Sequence, residues 1–204
     1  MNLHLMINEY NNGKFLDALR SGDKKAFAKL VEDNSESIYR VALRMLNNQQ
    51  DAEDILQETF IKAMKYLPDF EGRSQLSTWL YRIAVNEALM LIRKRKPDLI
   101  SIDNEIETDQ GDLIPRQIVD FCCMPEETLI NSETQSHISA AIETLSPALR
   151  ATFILRDISG LSTKETADTL NISESAVKTR LLRARMDLRE SLSSYFSSRM
   201  VDYA

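Results

Sequence analysis

At about 100° per residue, Val177, Leu181, Ala184 and Leu188 fall on one side of a helix. Ser175, Lys178, Thr179, Leu182, Arg185 and Arg189 fall opposite, with Arg183 on the flank. The first face has the character of a core. The second carries cations, hydroxyls and one outward Leu, a set that can bond base edges and phosphates and touch a thymine methyl. This is recognition chemistry. The chain shows no clustered His/Cys/Asp/Glu set, no Gly-rich phosphate loop and no nucleophile–base pair, so an enzyme acting on DNA is a poor reading.

The elements needed to position such a face are present just upstream. Ser162 is placed to cap a helix, and Glu165 stands at its third position, which makes a capping box. Ala167 is small enough for a second helix to cross close by. Asn171 tolerates the left-handed conformation that ends a helix, and Ser173 can cap the next one. Two helices and a tight turn over residues 161–185 read as a helix-turn-helix, whose second helix lies in the major groove of DNA. A capped hairpin with a solvated basic face is the simpler alternative, but turn, small residue and basic second helix occur together.

Composition sets the frame. The chain has 204 residues, 43% of them hydrophobic, with only 5 Gly and 5 Pro. The apolar spacing is mostly helical, so an all-α protein is expected. The net charge of −6 is unevenly spread. Residues 1–96 are net +2, residues 97–133 net −9 and residues 134–204 net +1. Two near-neutral halves therefore flank an acidic connector, and the overall acidity does not argue against DNA binding. Cys122 and Cys123 are adjacent, a poor geometry for a mutual disulfide, and no ligand cluster surrounds them. No metal or cofactor is expected. No membrane-length apolar run and no secretory signal is visible, which points to the cytoplasm.

In order, residues 1–14 form a polar leader. Phe15, Leu16 and Leu19 open a helical pattern, broken at Ser21-Gly-Asp. Asp23 caps a helix expected to end near Asn34, and a further helix is expected over 35–47. The next helix is expected over 51–65, with Ala52, Ile55, Leu56, Phe60 and Ala63 inward and Asp54, Gln57, Glu58 and Lys62 as a polar face. Pro68 and Gly72 mark 66–75 as a loop carrying Tyr66 and Phe70. A helix from about Leu76 presents Trp79, Leu80, Ile83, Ala84, Ala88 and Leu91 at helical spacing and ends in Arg93-Lys-Arg-Lys96 before Pro97. Cations beside available aromatics resemble a surface for nucleic acid. Residues 97–125 read as an acidic linker. Helices resume near Pro125 and run to about Leu145, then from Ala148 to about Ile158, before the helix-turn-helix. Residues 193–204 are expected to fray as a tail.

Two segments carry a family resemblance. Asp51-Ala-Glu-Asp-Ile-Leu-Gln-Glu-Thr-Phe-Ile-Lys, with Phe70-Glu-Gly and Ser77-Thr-Trp-Leu-Tyr-Arg-Ile-Ala-Val-Asn86, resembles region 2 of bacterial sigma factors. Leu155–Arg185 resembles region 4. In this order and spacing the chain is similar to the extracytoplasmic-function (group IV) class. The resemblance implies two small helical domains, at residues 15–96 and 126–192, joined by the linker. It implies a promoter-specificity subunit that binds core RNA polymerase through the β′ clamp helices and the β flap. Asp54, Gln57 and Glu58 hold the polymerase-binding positions. Phe70, Ser74, Asn86, Arg93, Lys94, Arg95 and Lys96 are the candidates for the −10 element. Ser175, Lys178, Thr179, Leu182 and Arg183 are the candidates for the −35 element, with Arg185 on phosphate. A membrane-bound or soluble anti-sigma factor is an expected partner. Met90, Asn171 and Ser146-Pro-Ala-Leu depart from the commoner family pattern.

Two other classes compete with this one. A stand-alone helix-turn-helix regulator would bind duplex DNA tightly without polymerase, which the 51–62 and 77–86 motifs argue against. A mimic that only titrates an anti-sigma partner would not need the basic face of the last helix.

Overall fold

The computed structural model describes residues 13–95 and 132–201, the side chains of 132–135 and 194–201 excepted. Among the described residues the regular structure is helical: α1 (Gly13–Arg20), α2 (Lys24–Leu46), α3 (Gln49–Tyr66), α4 (Leu76–Arg95), α5 (Ser132–Thr144), α6 (Pro147–Phe153), α7 (Thr163–Leu170) and α8 (Glu174–Val201). A 3-10 turn, Leu67–Asp69, follows α3, and a π turn, Ile154–Ile158, follows α6.

Asp23 caps α2 by accepting from the backbone N–H groups of Lys25 and Ala26 at 2.7 and 3.1 Å. Those bonds pull its carboxyl below the ordinary aspartate range. The break expected at Asn34–Ser35 does not occur, and α2 is one helix. Asn34 donates to the Leu30 carbonyl at 2.9 Å, and the Ser35 hydroxyl donates to that of Val31 at 2.5 Å. Both side chains bond backward along the same helix, so neither caps a new one. Leu30, Asn34, Ile38, Val41, Ala42 and Met45 then form one continuous buried stripe. Asn47, left-handed at φ 48°, ends the helix. Asn48 caps α3 at once, accepting from Asp51 N–H at 2.9 Å, so α3 starts two residues earlier than its acidic motif.

α2, α3 and α4 pack around Leu30, Ile38, Ala52, Ile55, Phe60, Leu76 and Leu80. A second core joins both halves: Val41 and Met45 of α2 and Val85 and Ala88 of α4 meet Ile142, Leu145, Leu149, Ile154, Leu155, Ala184 and Leu188. Two arginines stitch this junction. Arg150 of α6 donates to the Met45 carbonyl in the last turn of α2 at 2.8 Å. It also donates to the carbonyls of Glu143 and Leu145 at the end of α5. In return Arg82 of α4 donates to the Asp168 carbonyl in the last turn of α7. Last-turn carbonyls have no partner within their own helix and lie at the negative end of its dipole, so a guanidinium fork suits them.

Other boundaries also differ from the sequence reading. α6 gives way to the π turn at Ile154 instead of running to Ile158 as α-helix. α8 continues to Val201, where a frayed tail was expected after Leu192. The linker at 97–125, both cysteines, Lys96 and most of the leader lie outside the described residues. No helix among the described residues is long and apolar enough to cross a membrane.

Removing the Arg150 fork leaves the Met45 and Leu145 carbonyls short of donors at a partly buried junction. Arg150→Ala should lower unfolding free energy by about 1–3 kcal/mol in urea denaturation. Arg150→Lys, with a single ammonium for carbonyls of two helices, should recover less than half. Wild-type stability in the Ala variant would refute a stabilising role for the fork.

Candidate nucleic-acid and polymerase interface

The helix-turn-helix is built as its local residues require. Ser162 accepts from Glu165 N–H at 3.2 Å, and the Glu165 carboxylate accepts from Ser162 N–H at 2.8 Å, closing the capping box. α7 ends at Asn171 in the left-handed region, φ 54° and ψ 48°. Ser173 caps α8 by accepting from Ala176 N–H at 3.1 Å. Ala167 is buried at the crossing, and Val177 and Ala184 are fully buried. The opposite face of α8 is left outward. Lys178 is exposed, and Thr179, Leu182 and Arg183 are half-exposed. Ser175 and Thr179 bond within the helix start: Ser175 shares a hydroxyl contact with Ser173 at 2.9 Å, and Thr179 donates to the Ser175 carbonyl at 3.1 Å. Arg185 is committed elsewhere. Its guanidinium makes two bonds of 2.9 Å to Asp157, at the π turn.

The second candidate surface runs along the loop after α3 and down α4. Here the structure corrects the expectation of an available aromatic. Phe70 is 8% exposed, its ring 5.0 Å from Trp79, and Arg20 donates to its carbonyl through Nε and Nη2 at 3.0 and 2.6 Å. The loop is held closed on α1 and α4, and the apolar ring takes the dry side. Tyr66 is displayed instead, with the Lys65 ammonium 5.3 Å from its ring centre. Ser74 is half-exposed, and Asn86, Arg93 and Lys94 are exposed with no partner among the described residues. Arg95 is not free. It makes a two-pronged pair with Asp51 at 2.5 and 2.7 Å, tying the end of α4 to the start of α3. The hydrogen bond from Arg95 holds the Asp51 carboxyl below its usual range.

The third surface is the outward face of α3. Asp54 and Gln57 are exposed and Glu58 is half-exposed. Lys62 bridges Glu58 at 3.4 Å and Glu87 of α4 at 2.6 Å; the bond from Glu87, ahead of that from Glu58, raises its pKa. This face has an apolar continuation that was not expected from the sequence. Ile61 and Met64 are 57% and 61% exposed, one and two turns beyond Gln57. Their signal was available, since Gln57, Ile61 and Met64 repeat at i, i+4 and i+7.

The Sigma-70 region 2 profile matches residues 30–97, and the Sigma-70 region 4 profile matches residues 137–188. The chain is 38% identical over 179 residues to the ECF RNA polymerase sigma factor SigW of Bacillus subtilis, covering 88% of this chain and 95% of that one. The chain belongs to the ECF sigma factors. This sigma factor is also 31% identical over 190 residues to the RNA polymerase sigma-H factor of Pseudomonas aeruginosa, covering 92% of this chain and 96% of the other. Its fold resembles CnrH in complex with the cytosolic domain of CnrY, with a TM-score of 0.64, 24% identity and coverage of 88% and 96%. It also resembles RpoE in complex with the anti-sigma factor NepR from Bartonella quintana, at 0.59, 24% identity and coverage of 83% and 98%. The sigma factor is a promoter-directing subunit of transcription initiation.

The Asp51–Arg95 pair gives a pH test. A carboxyl depressed in the folded state adds stability that is present above its unfolded pKa of about 4 and lost as pH falls through the depressed value. Asp51→Asn should therefore flatten the decline in urea-denaturation stability below about pH 4, and should be less stable than wild type at pH 7. Parallel profiles across that window would show that the pair does not couple to folding.

Proposed function

We propose that the three surfaces divide promoter recognition between them, without a covalent step. α8 reads the −35 element through Lys178, Thr179, Leu182 and Arg183, with Ser175 at its entry. Lys and Arg can bond guanine edges, and Leu182 can meet a thymine methyl. The observation that carries this reading is the capped helix-turn-helix, which leaves Lys178 and Arg183 outward with no partner among the described residues. Ser74, Asn86, Arg93 and Lys94 engage the −10 element. Phe70 shapes the loop from inside, and Arg95 braces α4 through Asp51. Arg185 reaches phosphate only if it leaves Asp157.

The α3 face with Asp54, Gln57 and Glu58 binds the β′ clamp helices of core polymerase, and the C-terminal half meets the β flap. Opening the −10 region costs a few kcal/mol per unstacked base, which captured bases and polymerase contacts offset. Tethering both readers to polymerase supplies the effective concentration that neither has alone. The resembling structures are of CnrH with the cytosolic domain of CnrY and of RpoE with the anti-sigma factor NepR. By analogy an anti-sigma factor holds this protein in the cytoplasm, soluble or as a membrane tether.

Run-off transcription with core polymerase, with and without the protein, tests this reading. Lys178→Ala and Arg183→Ala should each lower transcripts from a responsive promoter by about tenfold, the worth of a good base contact, with core binding unchanged. Loss of core binding with promoter choice intact would reverse the assignment of α8. Charge reversal at Asp54 or Glu58 should instead weaken core binding at every promoter.

A further inference from the structure

α1 lies before the region 2 match, which begins at residue 30, so its role is read from what it touches. Its last residue, Arg20, is not needed by its own helix. The last-turn carbonyls of Asp17, Ala18 and Leu19 already accept from the N–H groups of Ser21, Asp23 and Gly22, at 3.0, 3.0 and 3.1 Å. The guanidinium crosses instead to the loop after α3. Its Nε and Nη2 donate to the Phe70 carbonyl at 3.0 and 2.6 Å, while Nη1 stands 3.6 Å from the Asp17 carboxylate. The same helix reaches a second point of the loop. A Cβ at Gly72 would lie 4.0 Å from Arg20 Nη2 and from Leu16 Cδ1, so the loop tip runs close over α1.

The tip has little else to hold it. Phe70 is anchored by its ring on Trp79, and Leu76 is buried where α4 begins. Between them, the backbone groups of residues 71–74 have no hydrogen-bond partner among the described residues. The ion pair of Arg73 with Glu71 is exposed and contributes little. Ordering such a tip when a ligand arrives costs affinity, and a tip already set avoids that cost. The Arg20 fork sets where the tip starts, and two donors on one carbonyl fix direction as well as distance. The tip offers the Ser74 hydroxyl and unpaired N–H and C=O groups, which suit a base edge, while the Glu71 carboxylate beside them disfavours a phosphate. A base out of the stack presents its Watson–Crick edge to such groups.

We propose that Arg20 is a positioning residue of the −10 reader. It presets the 71–74 tip so that Ser74 and the tip backbone meet one base taken out of the duplex. Arg20 touches no DNA itself and acts through the Phe70 carbonyl. The proposal rests on the assignment of this loop to the −10 element.

The experiment uses holoenzyme assembled from core polymerase and the full chain. The probe is forked DNA with a single-stranded −10 non-template strand, its sequence taken from a promoter selected from a randomised library. Each single-stranded base is exchanged in turn for the other three, and binding is measured for wild type, Arg20→Ala, Arg20→Lys and Ser74→Ala. A disfavoured base makes no use of the tip, so only the favoured one loses when the tip is loosened. At one position the wild-type preference should fall about fivefold or more in Arg20→Ala, the scale of leaving the backbone of one residue unfixed. Preferences at the other positions and at the −35 element should hold. Arg20→Lys, with one ammonium for the carbonyl, should recover part of the loss, and it carries the comparison if the Ala variant does not fold.

A residue that only stabilised the domain would lower affinity for every base alike. That result, or unchanged preferences, would overturn the inference for Arg20 while Ser74→Ala still alters one position. An effect of Arg20→Ala without one of Ser74→Ala supports it, with the tip backbone as reader. If neither variant alters any single-stranded preference, the loop is not part of the −10 reader and this inference goes with it. Weaker holoenzyme assembly by Arg20→Ala, with its fold intact in urea denaturation, would place α1 against polymerase and also sink it.

Discussion

The arrangement of the two halves depends on an exchange of arginines between them. Arg150 leaves the C-terminal half to meet the last turn of α2, and Arg82 leaves the N-terminal half to meet the last turn of α7. Each supplies donors where a helix has run out of its own. Between these two points lies a core that neither half completes alone, since Val41, Met45, Val85 and Ala88 are buried only in company with Leu145, Leu149, Ile154 and Leu188. The exchange is not fully satisfied. The Nε atoms of Arg82 and Arg150 are buried without a partner among the described residues, and such a group costs about 1–3 kcal/mol. The burial pushes the Arg150 pKa down.

Ion pairs decide which cations remain for a ligand. The sequence offers a run of four basic residues at the end of α4 and several more on α8, all alike by composition. The fold separates them. Arg95 is spent on Asp51, Arg185 on Asp157 and Lys62 on Glu87 and Glu58. These pairs orient helices: the first joins α4 to α3, the second α8 to the π turn, and the third α3 to α4. Arg93, Lys94, Lys178 and Arg183 keep their charge outward.

This sorting marks the limit of what could be read before the structure. The helix-turn-helix was legible to the residue because its signals are local: a hydroxyl at 162, a carboxylate at 165 and an Asn at 171 act within one turn of backbone. The core face of α8 was legible for the same reason, as Val177, Ala184 and Leu188 obey one period. Asn34 and Ser35 misled because their side chains suit a cap and a back-bond equally, and only the buried stripe running through them selects the second. Phe70 misled because a ring in a polar loop has no local partner. Trp79, on another element, draws it inside. The arginine exchange could not be foreseen, since its partners are 86 and 105 residues apart and are backbone carbonyls that any residue possesses.

The sparsity of outward cations bears on how affinity must be built. Each phosphate neutralised contributes roughly 0.9 to the salt slope of binding to duplex DNA, and strong sequence-independent binding needs many such contacts. The described surfaces proposed for DNA offer Arg93 and Lys94 on one and Lys178, Arg183 and Arg189 on the other, in a chain of net charge −6. Neither set supports tight binding alone. On that assignment, base-edge contacts must supply the discrimination that few phosphate contacts can. On the proposed assignment, the affinity deficit falls to the α3 face. Its outward carboxylates and its apolar extension at Ile61 and Met64 would be repelled by or indifferent to DNA, and they suit a protein partner that brings the promoter within reach.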